Sequence, residues 1–209
     1  MATLPNKERV NMVGANVGAT RKRRVKLGVD CLYYGLLDDT DKVKEAIPLP
    51  GVTEAKIEIK KESEGFPADN DPNWIILWGS SETTVDFTVS SFADEDKVNL
   101  FGYVKEDGMI IVEEDSIPSD IAVVFRVLFN DGVYGWVGLY KGQVSYNGLE
   151  LKTKQTKPEA QTDGMTGLFS ARGPRKRIMN TALEESPDFD LKKFFLEVLG
   201  VVPSDITLP

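Results

Sequence analysis

IAVVFRVLFNDGVYGWVGLY, residues 121–140, decides the fold. Two runs rich in β-branched and aromatic residues flank Asn130-Asp131-Gly132. An Asx-Gly pair supplies the positive φ angles that a tight antiparallel hairpin needs. Toward the C-terminus, Lys141-Gly142 and Asn147-Gly148 read as further turns or bulges, and LELKTKQTK (149–157) reads as another strand. Residues 121–156 are therefore predicted to form a β meander. KPEAQTDGM (157–165) reads as a polar loop. LFSA (168–171) and RKRIMNTAL (175–183) read as a last strand pair, broken at Gly173-Pro174.

Toward the N-terminus, the alternation continues. In TTVDFTV (83–89), Val85, Phe87 and Val89 face one way and Thr84, Asp86 and Thr88 the other. In VTEAKIEIK (52–60), Thr53, Ala55, Ile57 and Ile59 oppose Glu54, Lys56, Glu58 and Lys60. Each pattern predicts a strand with one face in a core and one in water. WIILWG (74–79) and LGVDCLYYGLL (27–37) read as more strands. SEGFPADNDPN (63–73), dense in Gly, Pro, Asn and Asp, reads as a long loop.

Two short helices are expected. One covers about 93–101, with capping oxygens on Ser91 or Asp94, Val98 and Phe101 facing inward, and Gly102 as the stop. The other covers about 189–199. There Leu191, Phe194, Phe195 and Val198 share a face, with Asp188 or Asp190 as cap and Gly200 at the end. Helices without βαβ alternation argue against a parallel sheet, so the fold class is mainly β and antiparallel. Residues 1–24, ending in the basic run Arg21-Lys22-Arg23-Arg24, read as an arm. Residues 25–200 form the β domain, and 201–209 read as a free tail.

Composition removes whole classes of chemistry. The 209 residues include no histidine and one cysteine. Ser-His-Asp and Cys-His sites and histidine-based zinc sites are excluded, as is an intrachain disulfide. Cys31, in an apolar stretch, reads as a small core residue. The formal charge of -8 speaks against a phosphate-neutralising nucleic-acid binder. Neither GxGxxG nor GxxxxGK[ST] occurs. Asp69, Asp71 and Asn73 imitate the start of a calcium loop, but Trp74 stands where glycine is needed and Ser80 where the bidentate glutamate belongs. An Asx-rich turn is the reading there. Glu113-Glu114 and Glu184-Glu185 are neighbours in sequence and would point to opposite faces of a strand, the wrong geometry for a catalytic dyad. No catalytic, cofactor or metal site is expected. Trp74, Trp78, Tyr134, Trp136 and Tyr140 read as core or strand-edge packing, with a sugar platform or subunit contact as the alternative. No apolar h-region opens the chain and no run reaches the length of a membrane span, so synthesis in a cytoplasm is expected.

From about residue 25 to 200, the order of elements resembles the siphophage major tail protein (tail tube) family. RVKLGVDCLYYGLL, VTEAKIEIK followed by EGFPADNDPNW, TTVDFTVSSFADEDKVNLFGY, the FNDGVYGW hairpin, LELKTKQT and the FDLKKFFLEVLG helix carry the resemblance. It implies a tail tube fold of two packed antiparallel sheets (a sandwich or barrel) with one flanking and one C-terminal helix. It implies hexameric rings that stack into a hollow tube in the virion tail, made in the host cytoplasm, through which DNA passes without specific binding. The partners implied are copies of the chain itself, a tape-measure protein and tail initiator and terminator proteins. The loop from Glu64 to Trp74, with Phe66, Asp69 and Asp71, would correspond to the family's segment that reaches the next ring. The two arms would bridge subunits. Glu54, Glu58 and Asp86 become candidate lumen residues, where charge of one sign would keep DNA from sticking. A tail terminator, a carbohydrate- or surface-binding β-sandwich and a carboxylate enzyme are the alternatives weighed.

Overall fold

A computed structural model describes residues 23–149, 151–153, 160–204 and 206. The strand pattern folds as antiparallel β structure. An eight-stranded sheet has the order β2(Ile47–Leu49), β1(Lys26–Leu36), β7(Ile121–Phe129), β8(Tyr134–Tyr146), β9(Asp163–Ser170), β4(Asp71–Val89) and β3(Val52–Ala68). β10(Met179–Leu183) pairs with β8 outside that path. β5(Val104–Glu106) and β6(Met109–Ile111), which the sequence reading had not assigned, form a separate small hairpin.

The sheet is curled. Phe87 on β4 and Phe125 on β7 lie three strand spacings apart along the sheet, roughly 14 Å if it were flat. Their rings meet edge-on with centroids 5.6 Å apart. The two layers are thus arms of one sheet, joined through β8. One edge of β8 pairs with β7. The other pairs first with β10 at Gly135–Leu139, then with β9 at Lys141–Tyr146.

The main core fills the curl with Leu32, Tyr34, Val85, Phe87, Phe125, Leu139 and Met165. α1(Asp94–Phe101) closes one side and buries Leu100 and Phe101, whereas Val98 is half-buried. Its N-cap is Ala93, whose N–H donates to Asp96 Oδ2, and Gly102 ends it at φ 69°. α2(Leu191–Val198) covers the outer face of β7 and β8. Its predicted stripe packs on Tyr33, Val124, Trp136 and Tyr140. Asp190 caps it by accepting from the Lys193 N–H.

Several sequence expectations give way. Residues 63–73 are not a loop: β3 and β4 run through them and turn only at Asp69-Asn70, both at positive φ (49° and 62°). That is the two-residue turn whose twist suits a hairpin. Pro67 falls at a register shift between Phe66 and Ala68, where the ladder is already interrupted. WIILWG and TTVDFTV belong to one strand, β4. Lys141-Gly142 makes no turn, but the bulge reading holds: inside β8, Tyr140 and Lys141 together stand opposite the single residue Ala122 of β7. β9 and β10 do not pair with each other, because each takes an edge segment of β8. Of LELKTKQTK, residues 149 and 151–153 are described and are not in a strand, with Leu149 and Leu151 exposed. The rest lies outside the described residues.

Cys31 is exposed rather than a core residue. It sits at φ 48° where the β1–β7 register shifts between Asp30 and Tyr33, and this bulge turns its side chain outward. The C-terminal segment is not a free tail where it is described: Val201, Val202 and Ile206 pack on the α2 core. Of the N-terminal arm, residues 1–22 lie outside the described residues. Its root is fixed, since Arg24 pairs with Asp131 and Glu185, both at 2.6 Å.

Candidate functional site

Two surfaces stand out among the described residues. The first is a ribbon. β4 pairs with β9 only over Thr83–Val89, so residues 71–82 have, among the described residues, β3 as their one strand partner. Beyond Lys60 and Glu82, the two strands leave the body as a free ribbon, roughly 30 Å long if straight. A bulge between Lys61 and Ser63 marks its base.

Both faces of the ribbon are apolar. Phe66 pairs with Ile75 and Glu64 with Leu77 on one face. On the other, Gly65 opposes Ile76 and Ser63 opposes Trp78, and alternation adds Trp74 to this face. Small partners on that face leave room for the indoles to lie across the ribbon. Trp74 is 54% and Trp78 62% exposed, and Phe66, Ile75, Ile76 and Leu77 are exposed too. The Lys61 ammonium stands 5.4 Å from the Trp78 ring. At the tip, the Asp71 Oδ1 accepts the Asn73 N–H at 2.9 Å, a local Asx turn.

The segment Glu64, Phe66, Asp69, Asp71 and Trp74 is therefore brought together at this projection. Trp74 and Trp78 are not packing residues, unlike the buried Trp136 and Tyr140. The sequence reading missed Ile75, Ile76, Leu77 and Trp78 as surface residues. The available signal was a run apolar at every position, WIILW, beside a two-residue Asx turn.

The second surface is the outer face of β3, β4, β9 and β8. The register places Lys56, Asp86, Thr166 and Ser145 in one row and Glu58, Thr84, Leu168 and Gln143 in the next. Glu54, Glu58 and Asp86 do share this face. Their carboxylates are not a field of one sign. Glu58 lies 2.6 Å from the Lys56 ammonium and 3.6 Å from that of Lys60. The hydrogen bond from Lys56 is the main cause that holds the Glu58 carboxyl below its usual range. Asp86 accepts from the Thr166 hydroxyl at 2.7 Å. The face is a mosaic of paired charges and hydroxyls. A groove of mixed character and about 470 Å³ crosses it, bordered by Lys141, Gln143, Ser145, Thr166 and Leu168.

Among the described residues, no group of three or more acidic or cysteine side chains is placed to hold a metal ion. Among the described residues, no helix is long and apolar enough to cross a membrane.

No protein-family model matches the chain, and no curated protein matches it. Among solved structures, it is similar to a chain of the anti-feeding prophage baseplate, determined by cryo-electron microscopy with six-fold symmetry imposed. The identity is 8% and the TM-score 0.33, over 73% of this chain and 93% of that one. A likeness that loose carries no argument about fold or role.

Proposed function

We propose that this protein is a structural, non-enzymatic subunit of a long-tailed phage virion, the major tail tube protein, which assembles with copies of itself into stacked rings. The observation that carries the reading is the ribbon. An unpaired two-stranded projection with large apolar side chains on both faces is costly to leave in water, because exposed apolar patches and free strand edges drive association. A neighbouring copy that covers it would turn this liability into an assembly contact. Repetition of one head-to-tail contact closes a ring or propagates a helix. The element order that resembles tail tube proteins supports the same reading. The paired, hydroxyl-rich outer face of β3, β4, β9 and β8 suits a lumen that DNA must traverse without adhering, by charge cancellation rather than by uniform repulsion.

Negative-stain electron microscopy of the purified protein, before and after concentration, tests this. Hollow tubes of uniform width are expected, and rings that never stack would favour a terminator. A protein that stays a monodisperse monomer at every concentration overturns the reading. The exposed indoles of Trp74 and Trp78 favour one second reading, a sugar-binding platform. Quenching or a shift of tryptophan emission by members of a glycan panel would support it.

A further inference from the structure

We propose that Asn147 is a site of spontaneous covalent modification, where the side-chain amide is lost through a cyclic imide and replaced by aspartate or isoaspartate. The proposal is independent of the assembly reading, and its only co-reactant is water.

The sequence holds one Asn-Gly pair, Asn147-Gly148. The reaction needs the next backbone nitrogen to reach the asparagine Cγ, and glycine has no Cβ to obstruct that approach. The pair alone does not make a site, because a hydrogen bond or tight packing on either group holds the two apart. The fold leaves both open. Asn147 follows the last residue of β8 and is exposed, as is Gly148. Gly148 has φ 90°, and a Cβ built there would meet nothing within 4 Å. Among the described residues, neither the Asn147 carboxamide nor the Gly148 N–H makes a hydrogen bond. The Asn147 N–H donates to the Gly164 carbonyl at 3.0 Å, which fixes the main chain just before the reacting atoms. The carboxamide lies against Gly164, with Nδ2 3.0 Å from where a Cβ on that residue would stand. Glycine at 164 therefore leaves the amide room to turn.

Comparable pairs are closed. The Asn130 carboxamide accepts the Val25 N–H at 2.9 Å. Asp131 is held by Arg24, and the Gly132 N–H donates to the Phe129 carbonyl at 3.1 Å. Asp163 accepts from the Tyr146 hydroxyl at 2.9 Å and from the Phe92 N–H at 3.3 Å. Asp107-Gly108 lies at an exposed turn, but an ionised carboxylate is a poor electrophile and reacts more slowly than an amide.

In the first step, the Gly148 nitrogen loses its proton and attacks Asn147 Cγ. A C–N bond forms, the Cγ–Nδ2 bond breaks, and the proton leaves with ammonia. Water then opens the five-membered imide. Breaking the bond from Cγ to nitrogen gives aspartate, and breaking the bond from the main-chain carbonyl carbon to nitrogen gives isoaspartate. Either product adds one negative charge to a chain of formal charge -8. The charge arrives opposite Gly164, one residue from Asp163. Isoaspartate also lengthens the main chain by a methylene where it leaves β8. The modified fraction should thus rise with the age of the subunit.

The test ages the full-length protein in mildly alkaline buffer, folded and in urea, and follows it by isoelectric focusing and peptide mapping. Isoaspartate is read by enzymatic carboxyl methylation. Conversion of Asn147 in the folded protein is expected within about tenfold of its rate in urea, whereas isomerisation of Asp131 and Asp163 should slow by more than about tenfold on folding. Asn147→Gln, which must close a larger ring, should remove the acidic band. A folded rate at Asn147 more than about tenfold below the unfolded one would overturn the proposal, since the loop would then hold the pair apart. An acidic band that persists in Asn147→Gln would overturn it by placing the reaction elsewhere. Isomerisation of Asp131 or Asp163 as fast in the fold as in urea would overturn the argument that hydrogen bonding selects the site.

Discussion

The Tyr34 hydroxyl donates a 2.7 Å hydrogen bond to Asp96 Oδ1 and so ties β1 to α1 inside the main core. Tyr34 is fully buried, and burial is the main reason its phenol titrates well above the usual tyrosine range. Asp96 also accepts the Ala93 N–H at the start of the helix. Replacing Tyr34 by Phe leaves a buried carboxylate short of a donor. Tyr34→Phe should cost about 1–3 kcal/mol in urea unfolding, with little change in the slope. An unchanged midpoint would mean that this bond contributes nothing.

Thr83 is the opposite case. It is 0% exposed where β4 enters the body, paired in register with Ile59 and Phe169, and among the described residues its hydroxyl has no hydrogen-bond partner. Thr83→Val keeps the shape and removes the unsatisfied group. It should raise stability by about 1 kcal/mol, seen as a higher melting temperature. A lower one would mean that the hydroxyl has a partner.

Gly102 adopts φ 69° at the end of α1, and a Cβ there would stand 2.1 Å from the Ile117 carbonyl oxygen. Backbone cannot yield as a flexible side-chain end can. Gly102→Ala should destabilise by at least about 2 kcal/mol, combining left-handed strain with the clash. Gly108→Ala is the control, since its φ is 77° but nothing stands within 4 Å. The gap between the two variants, measured by chemical unfolding, isolates the cost of the clash.

Acid should loosen the root of the N-terminal arm. The hydrogen bond from Arg24 is the main cause that holds the Asp131 carboxyl below its ordinary range. A carboxyl depressed in the folded state stabilises above its unfolded pKa, and that contribution is lost as pH falls through the folded value. The wild type should therefore exceed Arg24→Gln in stability at neutral pH, and the two should converge as pH drops below about 4. Parallel stability curves down to that pH would remove the ion pair from the account.

The ribbon's tryptophans should matter to assembly and hardly at all to the monomer. Trp74→Ser/Trp78→Ser should leave unfolding free energy within about 0.5 kcal/mol, as expected for exposed positions. It should also abolish the tubes or rings seen by electron microscopy. Tubes formed by this variant would place the assembly contact elsewhere.

What could be read from the sequence follows from how local each decision is. α2 was legible, because its stripe, its Asp190 cap and Gly200 lie within one short segment. The faces of β3 and β4 were legible for the same reason, as period-two alternation is local. The choice of partner was not. β9 and β10 both bind β8, and their sequences do not say that one strand's edge is shared between them. Trp74 and Trp78 show a second limit. A run such as WIILW marks apolar side chains, but whether a layer covers them depends on where β9 ends, which that segment does not encode. Cys31 looked like a core residue because nothing around it in sequence announces the bulge that turns it outward. Glu54, Glu58 and Asp86 were correctly placed on one polar face. The pairing of Glu58 with Lys56 and Lys60, and the Thr166 hydroxyl that donates to Asp86, needed the strand register as well as the alternation.

The pairing of β1 with β7 has a consequence for biosynthesis. Asp30 and Arg126, joined by two 2.8 Å hydrogen bonds, are 96 residues apart in the chain. The β3–β4 turn closes between Ala68 and Asp71. Local contacts form early and distant ones late, so on a ribosome the hairpin can zip while β1 still waits for β7 to emerge. The stickiest part of the molecule is then the first to be shaped and the last to be covered. Yield in a cell should depend on how fast nascent chains meet finished partners, and slower translation at low temperature should favour soluble product over inclusion bodies.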